Sequence, residues 1–265
     1  LINSGVRRVI ICNRDPNPLV SGSGIKKLEA AGISVEDGLL AAEGEHLNRR
    51  FFKFHRQRKP YVILKWAESR DGFIAQEGGQ PVRISGGLSD VEVHKWRAAE
   101  DAILVGKGTA INDNPSLNVR HWQGRNPVRL LMDRRLSVSE DFKIYDHHQP
   151  LVVYNTVKDA PGERRIERYT DQDSYPVSFV KIHPGLNEID QILSDLYLRK
   201  IQSVLVEGGS EILTAFIQSG LWDEIRRCQG DIELTKGLPA PAPGGMLVSI
   251  VSIEKDYWSY YVNKP

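Results

Sequence analysis

The apolar run Val204-Leu205-Val206 ends in Glu207, two glycines and Ser210. A buried strand that breaks into glycines and continues as a helix leaves backbone N–H groups and the positive end of a helix dipole open to an anion. No Cβ holds that anion off. A pyrophosphate is the natural occupant. Glu207 would stand at the carboxyl end of the strand, where open α/β sheets bind their ligands. The same residues also suit a tight βα turn with a solvated carboxylate.

A second cluster repeats the pattern. Asp101-Ala102-Ile103-Leu104-Val105 breaks into Gly106-Lys107-Gly108-Thr109, and Asn112-Asp113-Asn114-Pro115-Ser116-Leu117-Asn118-Val119-Arg120 follows. The hydroxyl of Thr109, the carboxylate of Asp113 and the guanidinium of Arg120 in one short loop can hold a phosphate and sugar hydroxyls. Loops of this composition are also simply turns. A third cluster is Lys65-Trp66-Ala67-Glu68-Ser69-Arg70-Asp71-Gly72, in which Lys65 and Ala67 share one side of a strand. A lysine inside an apolar strand needs an anion or an escape to a sheet edge. Arg97 shares a helix face with Asp90 and His94, and by itself reads as a surface arginine.

Other patterns are excluded. Gly22-Ser23-Gly24 has Lys27 where a dinucleotide fingerprint needs its third glycine, and it reads as a flexible loop. A nicotinamide cofactor would need another architecture. His147-His148 has no third ligand at usable spacing, so no metal site is expected. There is neither a nucleophile elbow nor a Walker loop.

These clusters need elements to hold them. Val9–Cys12 reads as a short buried strand, Ile25–Ala31 as a helix stopped at Gly32, and Ile33–Val35 as a second strand. One helix is expected from about Leu40 to Phe54, running into the basic stretch Arg56-Gln57-Arg58-Lys59, which marks a domain boundary. Beyond it Tyr61–Trp66, Ala102–Val105, Arg129–Met132, Leu151–Tyr154 and Ser203–Val206 are strands. The continuous apolar runs at 102–105, 129–132 and 151–154 suit the middle of a sheet covered on both faces. Ser89-Asp90-Val91-Glu92 has the form of a capping box opening a helix to about Ala99. Asn187 caps a helix with the stripe Ile189, Ile192, Leu193 and Leu196, and Ser210–Ser219 is a helix stopped by Gly220. Met246–Ile253 and Trp258–Val262 form a closing antiparallel pair. The expectation is an α/β fold with a mainly parallel sheet and an antiparallel C-terminal edge.

Bulk properties narrow the partners. A formal charge of +1 gives no electrostatic reason to expect nucleic acid or a membrane surface. No apolar run approaches a membrane span. Only Cys12 and Cys228 are present, which excludes a disulfide framework and points to a reducing, cytoplasmic compartment. The chain opens on Leu1, almost inside an element, as a fragment would.

In this order the clusters resemble the bifunctional riboflavin biosynthesis deaminase–reductase family. The resemblance runs from Asp15-Pro16-Asn17-Pro18 and Leu47-Asn48-Arg49-Arg50-Phe51-Phe52 through Lys59-Pro60-Tyr61-Val62, His94-Lys95-Trp96-Arg97 and the 101–120 block to Glu207-Gly208-Gly209. It implies a C-terminal remnant of a cytidine-deaminase-like domain over residues 1–58 and a dihydrofolate-reductase-like domain over 59–265. It further implies NADPH-dependent reduction of 5-amino-6-(5-phosphoribosylamino)uracil, with association into homo-oligomers. Carried over by position, Ala67, Thr109, Asp113, Arg134, Gly208, Gly209 and Ser210 would hold NADPH, Arg134 facing its 2′-phosphate. Arg97, Leu117, Arg120 and Glu207 would hold the phosphoribosylamino-pyrimidine, and Lys65, Glu207 and Asp113 would act in catalysis. The family's His-x-Glu and paired cysteines, which hold zinc in the deaminase, do not occur in this chain. Where many members have a tryptophan before Ile84-Ser85, this chain has Arg83. Two other readings remain at this point: a reductase of the same fold acting on a pterin or another pyrimidine, and a non-catalytic nucleotide-binding scaffold for a deaminase.

Overall fold

Strand and helix alternate along most of the chain, and the apolar strands gather into one sheet. The computed structural model describes residues 1–20, 22–162 and 174–263, and it divides into two compact units, Leu1–Tyr61 and Val62–Pro265. In the first unit β1 (Arg8–Ile11) pairs in parallel with β2 (Ser34–Asp37), with Val9 opposite Val35. Parallel strands need a crossover, and α1 (Ser23–Ala30) supplies it. The strand expected to be buried is not: Ile10 is 46% exposed, because β1 has a single strand partner among the described residues.

The single helix expected over 40–54 is two, α2 (Ala41–Leu47) and α3 (Arg49–Gln57). Asn48 separates them at φ −103° and ψ 24°. Its side-chain Nδ2 donates to the Gly44 carbonyl at 3.0 Å, a local bond that competes with the helix ladder.

The second unit is built on β3 (Tyr61–Glu68), β4 (Phe73–Gln76), α4 (Gly87–Ala99), β5 (Ala102–Gly106), α5 (Lys107–Asp113), β6 (Val128–Met132), β7 (Leu151–Asn155) and β8 (Val177–Lys181). It continues through α6 (Glu188–Leu198), β9 (Ser203–Val206), α7 (Ser210–Ser219), β10 (Glu224–Gln229), β11 (Gly237–Pro239), β12 (Met246–Ile253) and β13 (Asp256–Val262). Among the described residues one nine-stranded sheet runs β12-β13-β10-β3-β9-β5-β6-β7-β8, and β4 pairs separately with β11. Pairing is parallel from β9 to β8 and between β3 and β10, and antiparallel at β10-β13 and β13-β12. This is the α/β architecture expected, a mainly parallel sheet with an antiparallel edge.

Both faces of the central strands are covered. Val62, Leu64 and Trp66 of β3 join Leu104, Val204, Val206 and the buried stripes of α6 and α7 in one cluster. Ile103, Val105, Leu131 and Val153 join Ala110 and Leu117 in another on the opposite face. Asn187 caps α6 as its sequence announces, its side chain accepting the Asp190 N–H at 3.1 Å.

The capping box at Ser89 is overturned. α4 begins three residues earlier with Gly86 at its N-cap, and Ser89 is fully buried. Its hydroxyl donates to Asp256 Oδ2 at 2.5 Å and accepts Trp258 Nε1–H at 3.0 Å, fastening α4 to β13. Removing one member of a buried network leaves its partners unsatisfied. Ser89→Ala is therefore expected to destabilise by about 1–3 kcal/mol. Glu92→Ala, the other half of the expected box, should change stability by less than about 0.5 kcal/mol in urea denaturation.

Candidate active site

Sheet order decides what meets. β9 lies between β3 and β5, with Ala102 opposite Val204 and Leu104 opposite Val206. The Glu207 N–H extends the ladder by donating to the Leu104 carbonyl at 3.0 Å. The two glycine-broken strand ends are thus side by side: a Cβ built on Gly106 would stand 3.9 Å from the Gly208 carbonyl oxygen. A cavity of about 620 Å³ opens over them.

Its walls can be read element by element. Period-two alternation puts Lys65 and Ala67 on the face of β3 opposite Trp66, and both line the cavity. Thr109 and Asp113 come from α5, a helix where the sequence suggests only a polar loop. The segment after it contributes Leu117 and Arg120. Leu117 is 2% exposed with φ +50°, so a buried side chain anchors a left-handed turn in that segment. α4 contributes Arg97, and the turn after β9 contributes Glu207, Gly208 and Gly209.

The turn is shaped for a close ligand. Gly208 has φ +154° and Gly209 φ +67°, and a Cβ at Gly208 would meet Thr109 Oγ1 at 2.9 Å. No side chain caps α7, whose first ladder bond runs from the Leu213 N–H to the Gly209 carbonyl. Helix geometry leaves the N–H groups of Ser210, Glu211 and Ile212 without partners inside the helix.

Arg97 is the central finding of the site. Its Nε and Nη2 donate to Glu207 Oε1 and Oε2, both at 2.7 Å, with 12% and 6% of the two side chains exposed. The surface arginine suggested by its sequence is instead a nearly buried partner of Glu207. Burial alone would raise the Glu207 pKa. The charge and hydrogen bonds of Arg97, aided by Lys65, outweigh it and hold the carboxyl below its ordinary value. Asp113 behaves oppositely: it stands exposed at the cavity wall, and partial desolvation there raises its pKa. His94, to which no role could be assigned from local pattern, is 2% exposed. Burial, with the neighbouring charges of Arg97, Arg120 and His121, pushes it down to about 4.

Two expected contacts lie off the cavity wall. Ser210 opens α7, and its hydroxyl donates to the Pro239 carbonyl at 3.2 Å. Arg134 follows β6 and pairs with Glu188 at the start of α6, the closest contact being 2.5 Å. Asp90, Pro81 and Val82, which sequence reasoning missed, also line the cavity, as do Arg83, Ile84 and Ser85, where many family members have a tryptophan nearby. Arg83 donates from Nη2 to Asp90 Oδ2 at 2.9 Å. Among the described residues no cluster of His, Cys, Asp and Glu could hold a metal ion.

Comparison with known proteins shows the family of the chain. Residues 60–233 match the family model described as the RibD C-terminal domain. The chain belongs to that family. It is 35% identical over 226 residues to the riboflavin biosynthesis protein RibD of Aquifex aeolicus, covering 85% of this chain and 61% of that protein. RibD of Bacillus amyloliquefaciens is 36% identical over 227 residues, with 85% and 60% covered. The chain thus spans about three-fifths of the length of these RibD relatives. The crystal structure of a diaminohydroxyphosphoribosylaminopyrimidine deaminase/5-amino-6-(5-phosphoribosylamino)uracil reductase from Thermotoga maritima covers 99% of this chain. It superposes with a TM-score of 0.83 at 30% identity, and 73% of that chain is matched. Acinetobacter baumannii RibD gives a TM-score of 0.83 at 27% identity, covering 100% of this chain and 75% of that one.

The Gly208 turn yields a direct test. A side chain there meets both an unfavourable φ and Thr109. Gly208→Ala is expected to lose about 1–3 kcal/mol of stability. Adding Thr109→Ala removes the Oγ1 clash but not the backbone strain. The double variant should therefore lose less than the sum of the singles in paired denaturation curves.

Proposed function

We propose that this chain reduces 5-amino-6-(5-phosphoribosylamino)uracil to its ribitylamino product with NADPH. The observation that carries the reading is one cavity that gathers two kinds of anion-binding group. A glycine turn at an uncapped helix start lines it together with Arg120 and the Arg97–Glu207 pair. Membership in the RibD C-terminal domain family and likeness to the Thermotoga maritima deaminase/reductase support it.

The residues fit a dinucleotide with phosphates. Gly208 and Gly209 form a cradle that a Cβ would fill, at the positive end of α7. These backbone groups, with those of Ser210, would take the pyrophosphate, while Thr109, Asp113 and the backbone at Ala67 would orient the rest. Arg134 would take the 2′-phosphate only by leaving Glu188. With Arg134 54% exposed, that pair is worth only about 0–1 kcal/mol, so a doubly charged phosphate can displace it. When bound, NADPH supplies the hydride that the ribose C1′ accepts.

The chain's own groups do the rest. Arg120 takes the substrate phosphate, with Leu117 packed beside it. Arg97, held along one guanidinium edge by Glu207 and through Nη1 by the Asn118 carbonyl, keeps the segment that carries Arg120 in place. The C1′–O bond of the ring breaks as the nitrogen lone pair forms a C1′=N double bond, and Lys65 donates a proton to the departing ring oxygen. The positive charge that develops on the C1′=N group is favoured by a nearby carboxylate. Asp113 suits this better than Glu207, whose charge is already matched by Arg97. Glu207 therefore acts chiefly by holding Arg97. Residues 1–58 we read as the end of a deaminase domain, with residues 59–265 forming the reductase.

NADPH oxidation with the phosphoribosylamino compound tests the reading, since a scaffold would bind NADPH without consuming it. Glu207→Gln leaves a nearly buried guanidinium without its counter-charge, a loss of about 2–5 kcal/mol in transition-state stabilisation. Most of it should fall on kcat/KM for the pyrimidine, with NADPH affinity changed less than about threefold. Equal losses in both would place Glu207 on the cofactor instead. A required Asp113 carboxylate is lost as pH falls through its raised pKa. The acid limb of kcat/KM should accordingly lie above the ordinary aspartate range, and Asp113→Asn should flatten that limb and lower kcat by about tenfold or more.

A further inference from the structure

His94 stands one helical turn before Arg97 on α4, buried and off the cavity wall. Its Nδ1 accepts the backbone N–H of Arg120 at 3.2 Å. The ring of His121 meets the His94 ring edge-on, with centroids 4.8 Å apart and planes at 85°. From the same helix Arg97 Nη1 donates to the Asn118 carbonyl at 3.3 Å. Two α4 side chains, three residues apart, thus grip the segment from Asn118 to His121 at both ends. Between the grips is Arg120, exposed to the cavity, its guanidinium held within the protein by Asn118 Oδ1 at 3.2 Å.

The chemistry of the bond fixes the state of the ring. A backbone N–H can only donate, so Nδ1 must offer a lone pair and the proton of neutral His94 is on Nε2. The nearby Arg97 and Arg120 disfavour a charged imidazole in any case. A buried neutral ring that does not reach the cavity is not placed to trade protons with a ligand there. Its contacts point instead to holding a loop.

We infer that His94 is a positioning residue: by accepting the Arg120 N–H and packing on His121, it pre-orders the loop that presents Arg120 to the substrate's phosphate. This rests on the reading of the cavity as a phosphoribosylamino-pyrimidine site. A loop already ordered spares the binding event the entropy of ordering it, so the benefit falls on affinity for the phosphate-bearing ligand.

His94→Phe keeps a ring and removes the acceptor; His94→Asn places an amide oxygen near the position of Nδ1. With the phosphorylated substrate, His94→Phe should raise KM about tenfold while kcat stays within about threefold and KM for NADPH is unchanged. His94→Asn should recover most of that loss. The 5′-dephosphorylated substrate should show the same KM with wild type and His94→Phe. His121→Ala, on the exposed loop, should move KM in the same direction by a smaller factor, and serves if His94→Phe does not fold. A fall in kcat at constant KM, an equal penalty on the dephosphorylated substrate, or an Asn variant no better than Phe overturns the role. Should wild type fail to oxidise NADPH with this compound, the functional reading fails by itself. The role of His94 is then decided by calorimetry with inorganic phosphate: weaker binding in His94→Phe but not in His94→Asn supports it, and equal affinity overturns it.

Discussion

The ion pair between Arg97 and Glu207 is the constraint around which the second unit is organised. Two charges removed from water gain stability only when geometry is close to ideal and the remaining hydrogen-bonding capacity is used. Here both donor–acceptor distances are 2.7 Å, and the unused Nη1 of Arg97 reaches the Asn118 carbonyl. Such a pair ties the middle of α4 to the end of β9. α4 must then be held in register, and two further contacts do so: the buried Ser89–Asp256–Trp258 network and the edge-on stack of Trp96 against Trp258, centroids 4.8 Å apart. The antiparallel edge of the sheet thus serves the site as a brace for the helix that carries Arg97 and His94.

Sheet order supplies the other half. The residues that line the cavity come from β3, from the end of β5 with α5, and from the end of β9, segments about 40 to 140 positions apart in sequence. They meet because β9 inserts between β3 and β5 instead of pairing with β8, which precedes it along the chain. A glycine turn alone is an ordinary βα connection. Two of them side by side, with a lysine-bearing strand next to them, make a binding site.

This explains which parts of the molecule could be read from the amino-acid string. β5, β6, β7 and β9 are unbroken apolar runs, and α6 carries its stripe and its Asn187 cap locally, so their signals need no partner. β10 was not visible because Glu224, Arg226 and Arg227 interrupt its apolar pattern. In the fold those charges are matched: Arg226 bonds Glu224 and lies 4.5 Å over the Trp96 ring, and Arg227 pairs with Glu68. Ser89 imitates a helix cap because its true partners, Asp256 and Trp258, are more than 160 residues away. Arg97 imitates a surface residue for the same reason, Glu207 lying 110 positions on. Glu207, Gly208, Gly209, Thr109, Asp113, Lys65 and Arg120 could be picked as candidates from local chemistry. Their shared cavity depends on strand order, which no local pattern encodes.

The charges on the cavity wall then divide by function. Arg83 pairs with Asp90 at the rim and Arg97 pairs with Glu207 at depth, so each of these pairs is close to neutral toward a ligand. Among the described lining residues, Lys65 and Arg120 remain as cations and Asp113 as the carboxylate. With the whole chain near neutrality, the attraction for a phosphate is local and comes from these two cations and the helix start. Partial desolvation disfavours the charge on Asp113, which raises its pKa. A ligand that develops positive charge beside it relieves that cost, and one that does not makes it worse. On the proposed function, these charges would suit a molecule that is anionic at its phosphate and becomes cationic at its reacting carbon. A neutral or uniformly anionic ligand would satisfy one side of the site and leave the other unmatched.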